Sequence, residues 1–168
     1  MNGVVVRRAT PGDAASLVEL GRAVSSEPEG WLITDGDWRD LADERRYLRA
    51  VRRSPHAAVF VAEIPAGVVG RLSVARDTHP ASRHVADVGL MVAAGHRRRG
   101  IGSALLDQAV EWARQAGIEK LELHVFPYNE PAIRLYERFG FEREGLRRAH
   151  YRRGGELVDA VLMAYHVR

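Results

Sequence analysis

Cysteine is absent from this 168-residue sequence. Without it the chain can form no disulfide bond and offers neither a thiolate metal ligand nor a thiol nucleophile. The seven histidines do not replace that chemistry, because none has the spacing of a metal ligand relative to another histidine or a carboxylate. A Gly-x-Ser-x-Gly nucleophile turn is missing as well. We therefore expect no metal site and no covalent nucleophile of these classes.

Long apolar runs are also missing. No stretch approaches the roughly 20 residues that a membrane-spanning helix needs. The N-terminal residues 1–8 lack the basic-then-apolar order of a signal peptide. These absences predict a soluble, cytoplasmic protein with no membrane partner.

Lysine is nearly absent, since Lys120 is the only lysine among 25 basic residues and the others are arginine. The formal net charge is +3, and acidic residues are interspersed among the arginine pairs and triplets. A nucleic-acid-binding tail or stripe is not typically interrupted in this way. We expect most arginines to lie on solvated faces, and we expect no nucleic-acid partner.

Composition and periodicity predict one α/β (α+β) domain over residues 1–168. Hydrophobic residues make up 46% of the chain and charged residues 28%, which are ordinary globular values. Apolar runs predict strands at residues 4–7, 57–63, 68–74, 85–92, 121–125, 141–151 and 156–165. Helical spacing predicts helices at residues 10–24, 38–51, 101–115 and 129–139, with a loop at 25–36. The order β-α-α-β-β-β-α-β-α-β-β predicts a mixed sheet of about seven strands flanked by about four helices.

The most informative segment is residues 97–103, Arg-Arg-Arg-Gly-Ile-Gly-Ser, which links an apolar strand to a helix. The strand at 85–92 is almost continuously apolar, which predicts burial on both faces. The first backbone N–H groups of a helix lack internal acceptors and carry the positive end of the helix dipole. Glycines let an anion approach that backbone, and arginines add charge. The segment therefore predicts a site for a phosphorylated ligand.

Three phosphate-binding motifs compete for this segment. A P-loop requires a Gly-Lys-Ser/Thr sequence that the chain lacks. A dinucleotide-binding fingerprint requires a third glycine where Leu105 stands. The remaining pattern, Arg97-x-x-Gly100-x-Gly102, resembles the pyrophosphate-binding motif of the GNAT N-acetyltransferases, which hold acetyl-coenzyme A (acetyl-CoA).

The resemblance extends over almost the whole chain. The predicted order of strands and helices is that of the GNAT fold. Residues 129–141 resemble a second signature of the family, found after the fifth strand. Residues 145–163 are similar to branches that act on amino acids or on protein N-termini. The chain thus resembles an acetyl-CoA-dependent N-acetyltransferase, with features of the amino-acid N-acetyltransferase branch.

The resemblance also implies which residues contact acetyl-CoA. The pyrophosphate is expected on the turn formed by Arg97, Arg98, Arg99, Gly100, Ile101, Gly102 and Ser103. The pantetheine arm is expected to pair with the backbone of Met91 and Val92, with the N–H of Val92 facing the thioester oxygen. Asn129 and Tyr136 match positions that contact the cofactor in this family. Tyr136 also matches the general acid that protonates the departing thiolate.

Two of these residues also have a structural interpretation. Tyr136 stands between Leu135 and Phe139 in an amphipathic helix, so it could simply be a core aromatic residue. Asn129 is suited to be the N-cap of the same helix, a role that is compatible with a cofactor contact.

Asp87 is the candidate general base. It is a carboxylate inside an otherwise apolar strand, where a charge is costly unless it is used or paired. Acidic residues on this strand act as the base in some members of the family, and the alternative is a salt bridge to His84 or an arginine. Glu63, Glu122 and His124 are weaker candidates. His124 is better interpreted as a hydrogen-bonded structural residue.

The resemblance assigns the acceptor site to the loop between the first two helices and to the last hairpin. Glu29, Trp31 and Tyr151 are the candidate substrate residues in these segments. Acidic and aromatic groups can receive a cationic amine, and neighbouring arginines can bind a substrate carboxylate. That combination suits a free amino acid.

The predicted function is transfer of an acetyl group from acetyl-CoA to a primary amine. Because no cysteine can form an acyl-enzyme, direct attack of the amine in a ternary complex is the simplest route. The expected acceptor is a free amino acid or another small amine. A protein N-terminus, an antibiotic amine and a non-catalytic CoA-binding sensor are the alternatives. The resemblance also makes a homodimer the expected assembly to test.

Overall fold

The computed structural model describes residues 3–33 and 38–168, so residues 34–36 of the predicted loop lie outside it. The described strands are β1 Val5–Arg8, β2 Ala57–Ile64, β3 Gly67–Arg76, β4 Val85–Val92, β5 Lys120–Val125, β6 Glu142–Arg153 and β7 Glu156–His166. The described helices are α1 Ala14–Ser25, α2 Leu41–Arg53, α3 Ile101–Ala116 and α4 Glu130–Phe139. This order confirms the predicted succession of strands and helices.

The strands form one sheet in the order β1-β2-β3-β4-β5-β7-β6. Every neighbouring pair is antiparallel except β4 and β5, which run parallel. Parallel neighbours need a crossover connection, and α3 supplies it between these two strands. The predicted mixed sheet of seven strands with four helices is confirmed in the described residues.

The parallel pair is short, and this opens the sheet in its centre. Pairing between β4 and β5 runs only from Val85 with Lys120 to Asp87 with Glu122. Beyond Asp87, β4 continues to Val92 along β3, whereas β5 continues along β7. The second half of β4 therefore has one edge without a strand partner.

Side-chain alternation divides the core between the two faces of the sheet. On β2, Phe60 faces the cluster that contains Leu105 of α3, together with residues of α4. The neighbouring Val61 faces the opposite cluster, which contains Leu17 of α1 and residues of α2. Two helices thus lie on each face, and the central opening lies between them.

The predicted start of the second helix is wrong. The sequence pattern predicts a helix from Trp38, but α2 begins at Leu41. The Asp40 carboxylate accepts a hydrogen bond of 2.8 Å from the N–H of Asp43 and so caps the helix at that point. The capping side chain, rather than the apolar periodicity of the sequence, determines where this helix begins.

The predicted burial of β4 on both faces is also wrong. Asp87 and Gly89 are exposed, whereas the neighbouring Ala86 and Val88 are buried. All four lie on the same strand, but only the face toward α3 is covered along its length. The other face opens where β5 separates from β4, which leaves Asp87 accessible.

A buried ion cluster joins α2 to β3. Glu44 is 0% exposed, and its Oε2 accepts a hydrogen bond of 2.8 Å from Nε of Arg39. Arg71 of β3 is buried beside this pair, and its guanidinium lies 5.8 Å from the centre of the Tyr47 ring. Burial lowers the pKa of Arg71, and the neighbouring Tyr47 and Glu44 oppose that shift. These contacts hold α2 against the sheet.

No helix in the described ranges is long and apolar enough to cross a membrane.

Candidate active site

The turn after β4 has the backbone geometry of an anion-binding turn. Arg98 has φ of 61° and Gly100 has φ of 80°, so two left-handed residues stand one apart. A left-handed backbone is rare for arginine and suited to glycine. Successive N–H groups in such a turn converge on one side, as in phosphate-binding nests. The sequence predicts the site at this turn, and the backbone there is compatible with one.

Helix α3 begins at this turn without a side-chain cap. Its first internal backbone bond runs from the N–H of Ala104 to the carbonyl of Gly100. The N–H groups of Ile101, Gly102 and Ser103 precede that bond and have no acceptor one turn earlier in the helix. Among the described residues, the side chains of Arg98 and Arg99 bind no carboxylate. The turn therefore combines free donors with free positive charge.

Gly102 is required by packing as well as by position in the motif. A Cβ atom at Gly102 would lie 2.7 Å from Cδ2 of Leu135, far inside normal contact. Helix α4, which carries Leu135, thus rests directly on the first turn of α3. The close approach brings Tyr136 of α4 to the same end of the sheet as the turn.

Arg97 has an unexpected partner. Its guanidinium forms a bidentate ion pair with the carboxylate of Glu27, at 2.7 and 2.6 Å. Its Nε donates a hydrogen bond of 2.9 Å to the carbonyl of Val92. The side chain predicted to bind the pyrophosphate is therefore turned toward the loop after α1.

The open edge of β4 offers backbone groups at alternate residues. The N–H of Ala93 donates to the carbonyl of Val69 at 2.8 Å, so Ala93 points toward β3. In an antiparallel ladder, alternate residues point to opposite sides. Met91 consequently points to β3, whereas Leu90 and Val92 point to the opening. Val92, predicted to face the thioester, has its N–H on the open side, and Leu90 rather than Met91 shares that side.

Helix α4 supplies the two other predicted cofactor residues. The Asn129 side chain accepts a hydrogen bond of 3.3 Å from the N–H of Ala132, which makes it the predicted N-cap. Tyr136 is 7% exposed, and its ring packs 5.5 Å from that of Phe141. Burial raises the pKa of the Tyr136 phenol far above its usual value, so the hydroxyl stays protonated. Its hydroxyl forms no hydrogen bond to the described residues.

Asp87 lies at the point where β4 and β5 separate. Its carboxylate is accessible from the opening, yet surrounding protein removes much of its hydration and raises its pKa to about 6. The negative charges of Glu122 and Asp77 add to that rise. In the described part of the chain, no histidine or arginine forms an ion pair with it. The alternative of a salt bridge to His84 is not observed.

Tyr151 reaches the same face of the sheet from β6. Its hydroxyl lies 2.7 Å from Nδ1 of His124 on β5. Burial raises the pKa of Tyr151, and the negative charge of Asp87 raises it further. Burial lowers the pKa of His124, with smaller contributions from the charges of Arg147 and His150. The predicted hydrogen-bonded histidine is confirmed, and its partner is a predicted substrate residue.

An irregular strand delivers Tyr151 to this place. Arg147 pairs with Ala160 and Tyr151 pairs with Val158, so three residues of β6 oppose one residue of β7. Within this bulge, Ala149 has φ of 51°, and its N–H donates a hydrogen bond of 2.7 Å to Oδ1 of Asp159. Bulges redirect side chains next to functional sites.

The loop after α1 closes one side of the opening. The Tyr128 hydroxyl donates a hydrogen bond of 2.7 Å to the carbonyl of Gly30, and Arg153 donates one of 2.9 Å to the carbonyl of Leu32. Trp31 donates from its indole to Glu27 at 3.0 Å and lies 6.4 Å from the Tyr128 ring. These bonds tie the loop after α1 to Tyr128, which follows β5, and to Arg153 at the end of β6.

The predicted substrate residues differ in how they reach this region. Glu29 is exposed and forms no hydrogen bond or ion pair with the described residues, whereas Trp31 is half-buried in the loop. The structure thus gathers Trp31, Tyr151 and Asp87 around the opening, and leaves Glu29 at its outer surface. In residues 3–33 and 38–168, no three side chains are grouped to bind a metal.

Comparison with known proteins decides the family. The sequence profile of the Acetyltransferase (GNAT) family matches residues 24–141, which is more than half of the chain. The chain belongs to the GNAT acetyltransferase family. It is accordingly an acetyl-CoA-dependent acyltransferase by family.

Curated relatives match over nearly the full length. The L-amino acid N-acetyltransferase AaaT of Escherichia coli is 33% identical, with 98% of each chain covered. The N-alpha-acetyltransferase RimI of Mycobacterium tuberculosis is 31% identical, with 95% of this chain and 90% of that protein covered. A relative named for free amino acids and one named for protein N-termini thus both match over most of this chain.

Solved structures show the same fold. An acetyltransferase of the GNAT family from Streptococcus pneumoniae superposes with a TM-score of 0.88 at 28% identity, covering 98% of this chain and 99% of the other. The predicted GNAT fold is confirmed.

Sequence reasoning missed the contacts that hold the acceptor loop. Tyr128, Arg153 and the ion pair between Arg97 and Glu27 were not identified as a set, because their partners lie 70 to 121 residues away in the chain. The only sequence signal was that Glu27 lies in the loop assigned to substrate.

Proposed function

We propose that this GNAT enzyme acetylates the α-amine of a free amino acid or a similarly small amine. The observation that carries the proposal is Asp87. It is a carboxylate without a cationic partner among the described residues, and it is accessible where the two parallel strands separate. An ionised carboxylate in such a position favours a cationic ligand, and an ammonium group supplies one.

The turn before α3 and the open edge of β4 fit acetyl-CoA. The N–H groups of Ile101 to Ser103 and the side chains of Arg98 and Arg99 would hold the pyrophosphate. The backbone of Leu90 and Val92 would pair with the pantetheine arm as a strand partner does. Acetyl-CoA supplies the acetyl group as a thioester. The Val92 N–H would donate to the thioester oxygen as charge develops there.

Asp87 would hold the acceptor and take its proton. The α-ammonium group of a peptide N-terminus has a pKa of roughly 7.8, so forming the neutral amine at pH 7 costs about 1 kcal/mol. In a free amino acid the neighbouring carboxylate stabilises the ammonium group, so its pKa is higher and the cost is larger. For a lysine-type amine with a pKa of roughly 10.4 the cost is about 4.6 kcal/mol. A carboxylate with a pKa of about 6 is a weak base, which suits an α-amine better than a lysine-type amine.

Tyr136 would protonate the departing thiolate. Its raised pKa keeps the hydroxyl protonated, as a general acid requires. The residue is both a core aromatic and a candidate acid, because its ring packs on Phe141 while its hydroxyl has no partner in the described structure.

The full-length similarity to an L-amino acid N-acetyltransferase supports a free amino acid as the acceptor. The similarity to an N-alpha-acetyltransferase supports a second candidate, the N-terminus of a protein, which presents the same α-amine.

Release of the CoA thiol from acetyl-CoA, measured with a panel of acceptors, tests the proposal. The panel contains free L-amino acids, their N-acetyl derivatives, short peptides with free N-termini, and N-α-blocked lysine. We expect turnover with free amino acids and none with their N-acetyl derivatives. Turnover only with peptides would select the second candidate, and binding of acetyl-CoA without turnover of any amine would contradict both. The cytoplasmic location and the homodimer remain predictions, the second testable by light scattering.

A further inference from the structure

A hydrogen bond joins Tyr151 of β6 to His124 of β5, with the Tyr151 hydroxyl 2.7 Å from Nδ1 of the imidazole. Its direction depends on which imidazole nitrogen carries the hydrogen. Burial disfavours the charged form of His124, and a neutral imidazole with its hydrogen on Nε2 has a bare Nδ1. In that tautomer Tyr151 donates and His124 accepts, and the Tyr151 hydroxyl has no other hydrogen-bond partner in the described residues.

This direction determines what Tyr151 can offer to a ligand. With its only hydrogen committed to His124, the phenol oxygen presents lone pairs to its other neighbours. The N–H groups of an ammonium or amine can donate a hydrogen bond to these lone pairs. If His124 were charged, its Nδ1–H would instead donate to Tyr151 and reverse the arrangement.

The pair lies beside Asp87. Asp87 pairs in register with Glu122, and His124 follows Glu122 by two residues on the same face of β5. Two residues along a strand span roughly 7 Å, so His124 lies one same-face position beyond the residue that pairs with Asp87. The charge of Asp87 also acts on Tyr151.

We propose that Tyr151 donates its hydrogen to Nδ1 of His124, so that His124 is a positioning residue that turns the lone pairs of Tyr151 toward an acceptor amine held at Asp87. The proposal rests on the acetyltransferase function proposed above and adds a second point of attachment for the amine. Two hydrogen-bond acceptors, the charged carboxylate of Asp87 and the neutral oxygen of Tyr151, would fix the direction of the amine lone pair relative to the thioester.

Other charged groups surround the pair. The ring of His150 on β6 lies 6.1 Å from the ring of His124, edge to face. The charges of Arg147 and His150 both lower the pKa of His124. Glu122 lies on β5, between Asp87 and His124 in the register. Asp87 and Glu122 favour a protonated imidazole, whereas Arg147 and a charged His150 oppose it.

Two variants of His124 separate a directional role from packing. In His124→Asn the amide oxygen can take the place of Nδ1 as an acceptor, whereas His124→Leu fills similar space without one. We expect kcat/KM for the amine to fall about 10- to 100-fold in His124→Leu and in Tyr151→Phe, and to stay within about threefold of wild type in His124→Asn. The Kd for acetyl-CoA should not change in any of them.

The same bond predicts non-additivity. The double variant His124→Leu/Tyr151→Phe should lose no more activity than Tyr151→Phe alone, since His124 acts through Tyr151. The matched controls are His166→Leu and His166→Asn, which alter an exposed strand histidine on β7. Equal loss in His124→Asn and His124→Leu, additive losses in the double variant, or wild-type kcat/KM in His124→Leu would each overturn the proposal.

A measurement without turnover separates this proposal from the proposed function. The ¹⁵N shifts of the imidazole at pH 7.5 should show His124 neutral with a bare Nδ1, and Tyr151→Phe should change that signal while the His166 signal stays constant. A protonated Nδ1 overturns the positioning role even if the enzyme acetylates amino acids. A bare Nδ1 in a protein that acetylates no amine overturns the proposed function, and with it the role of the pair.

Discussion

The two halves of the candidate site are built in different ways. The cofactor half comes mostly from one continuous piece of chain, which runs from β4 through the turn to the start of α3. Helix α4 is the only other element that contributes to it. The acceptor half combines the loop after α1, Asp87, His124 and Tyr151, which come from four separate elements. A continuous segment can carry a recognisable motif, whereas a composite surface depends on folding to bring its groups together.

The halves also differ in the source of their electrostatics. The turn offers backbone donors and arginines whose charge is permanent near neutral pH. The acceptor half contains groups that titrate, with the pKa of Asp87 raised to about 6 and that of His124 lowered. The contribution of the turn to pyrophosphate binding should therefore vary little between pH 5 and 8, while use of the amine should vary strongly.

The largest expected effect belongs to the acceptor half. In Asp87→Asn, kcat/KM for the amine should fall about 100-fold or more, because the carboxylate that holds the amine and takes its proton is gone. The Kd for acetyl-CoA, measured by calorimetry, should not change. Asp107→Asn, an exposed carboxylate on α3, is the matched control.

The same variant should be more stable than wild type. The folded-state pKa of Asp87 is about 6, above the unfolded value of 3.8, so its ionisation destabilises the fold as the pH rises between these values. The loss is complete above pH 6. The Tm of Asp87→Asn should therefore exceed that of wild type at pH 7.5, and the difference should disappear below about pH 4. Lower activity with a lower Tm would instead mean that Asp87 is a structural residue.

A smaller effect is expected in the cofactor half. Replacing Arg98 and Arg99 together by alanine should raise the Kd for acetyl-CoA about 30-fold, because two charge-assisted contacts are lost. The KM for the amine at saturating acetyl-CoA should remain near the wild-type value. The double variant Arg45→Ala/Arg49→Ala removes the same charge from exposed positions on α2. An equal rise in the control would show a general charge effect rather than a site.

Tyr136→Phe should act on turnover alone. A thiol with a pKa near 8.5 leaves readily, so removing its proton donor should lower kcat only about tenfold. The ring keeps its packing on Phe141, so the Tm and the Kd for acetyl-CoA should stay close to wild type. An unchanged kcat between pH 6 and 9 would remove Tyr136 from the proposed role.

The smallest effect should come from the ion pair between Glu27 and Arg97, which joins the loop of the acceptor half to the turn of the cofactor half. Glu27→Gln breaks the bidentate ion pair with Arg97, which is partly exposed and worth about 1 kcal/mol. The KM for the amine should rise about threefold as the loop after α1 loosens, and the Tm should fall slightly. Glu19→Gln, on the exposed side of α1, should change neither. A gain in acetyl-CoA affinity would mean that Glu27 competes with the pyrophosphate for Arg97.

The fold and the cofactor half were predictable because their signals are local. Periodicity gave the order of elements, and the glycine-rich turn with its arginines indicated an anion site. Even there, the reason for one residue was hidden. Gly102 is glycine because Leu135, 33 positions later, occupies the space that its Cβ would need.

The acceptor half was predictable only as a set of candidates. The exposure of Asp87 depends on where β5 leaves β4, which apolar patterning does not encode. The partner of His124 lies 27 residues away, and that of Arg97 lies 70 residues away. Side chains at such separations meet through topology and strand register, so a single sequence indicates their chemistry without their contacts.

The most direct test of the account is the pH dependence of kcat/KM for a free amino acid in wild type and Asp87→Asn. The ammonium is expected to bind the ionised carboxylate, so the wild-type value should fall on the acid side with a midpoint near pH 6. In Asp87→Asn, the midpoint near pH 6 should be absent, and the residual rate should follow the neutral fraction of the amine, rising with pH up to the pKa of the amine itself. The same midpoint in both proteins would contradict the assignment of Asp87 as the group that receives the amine.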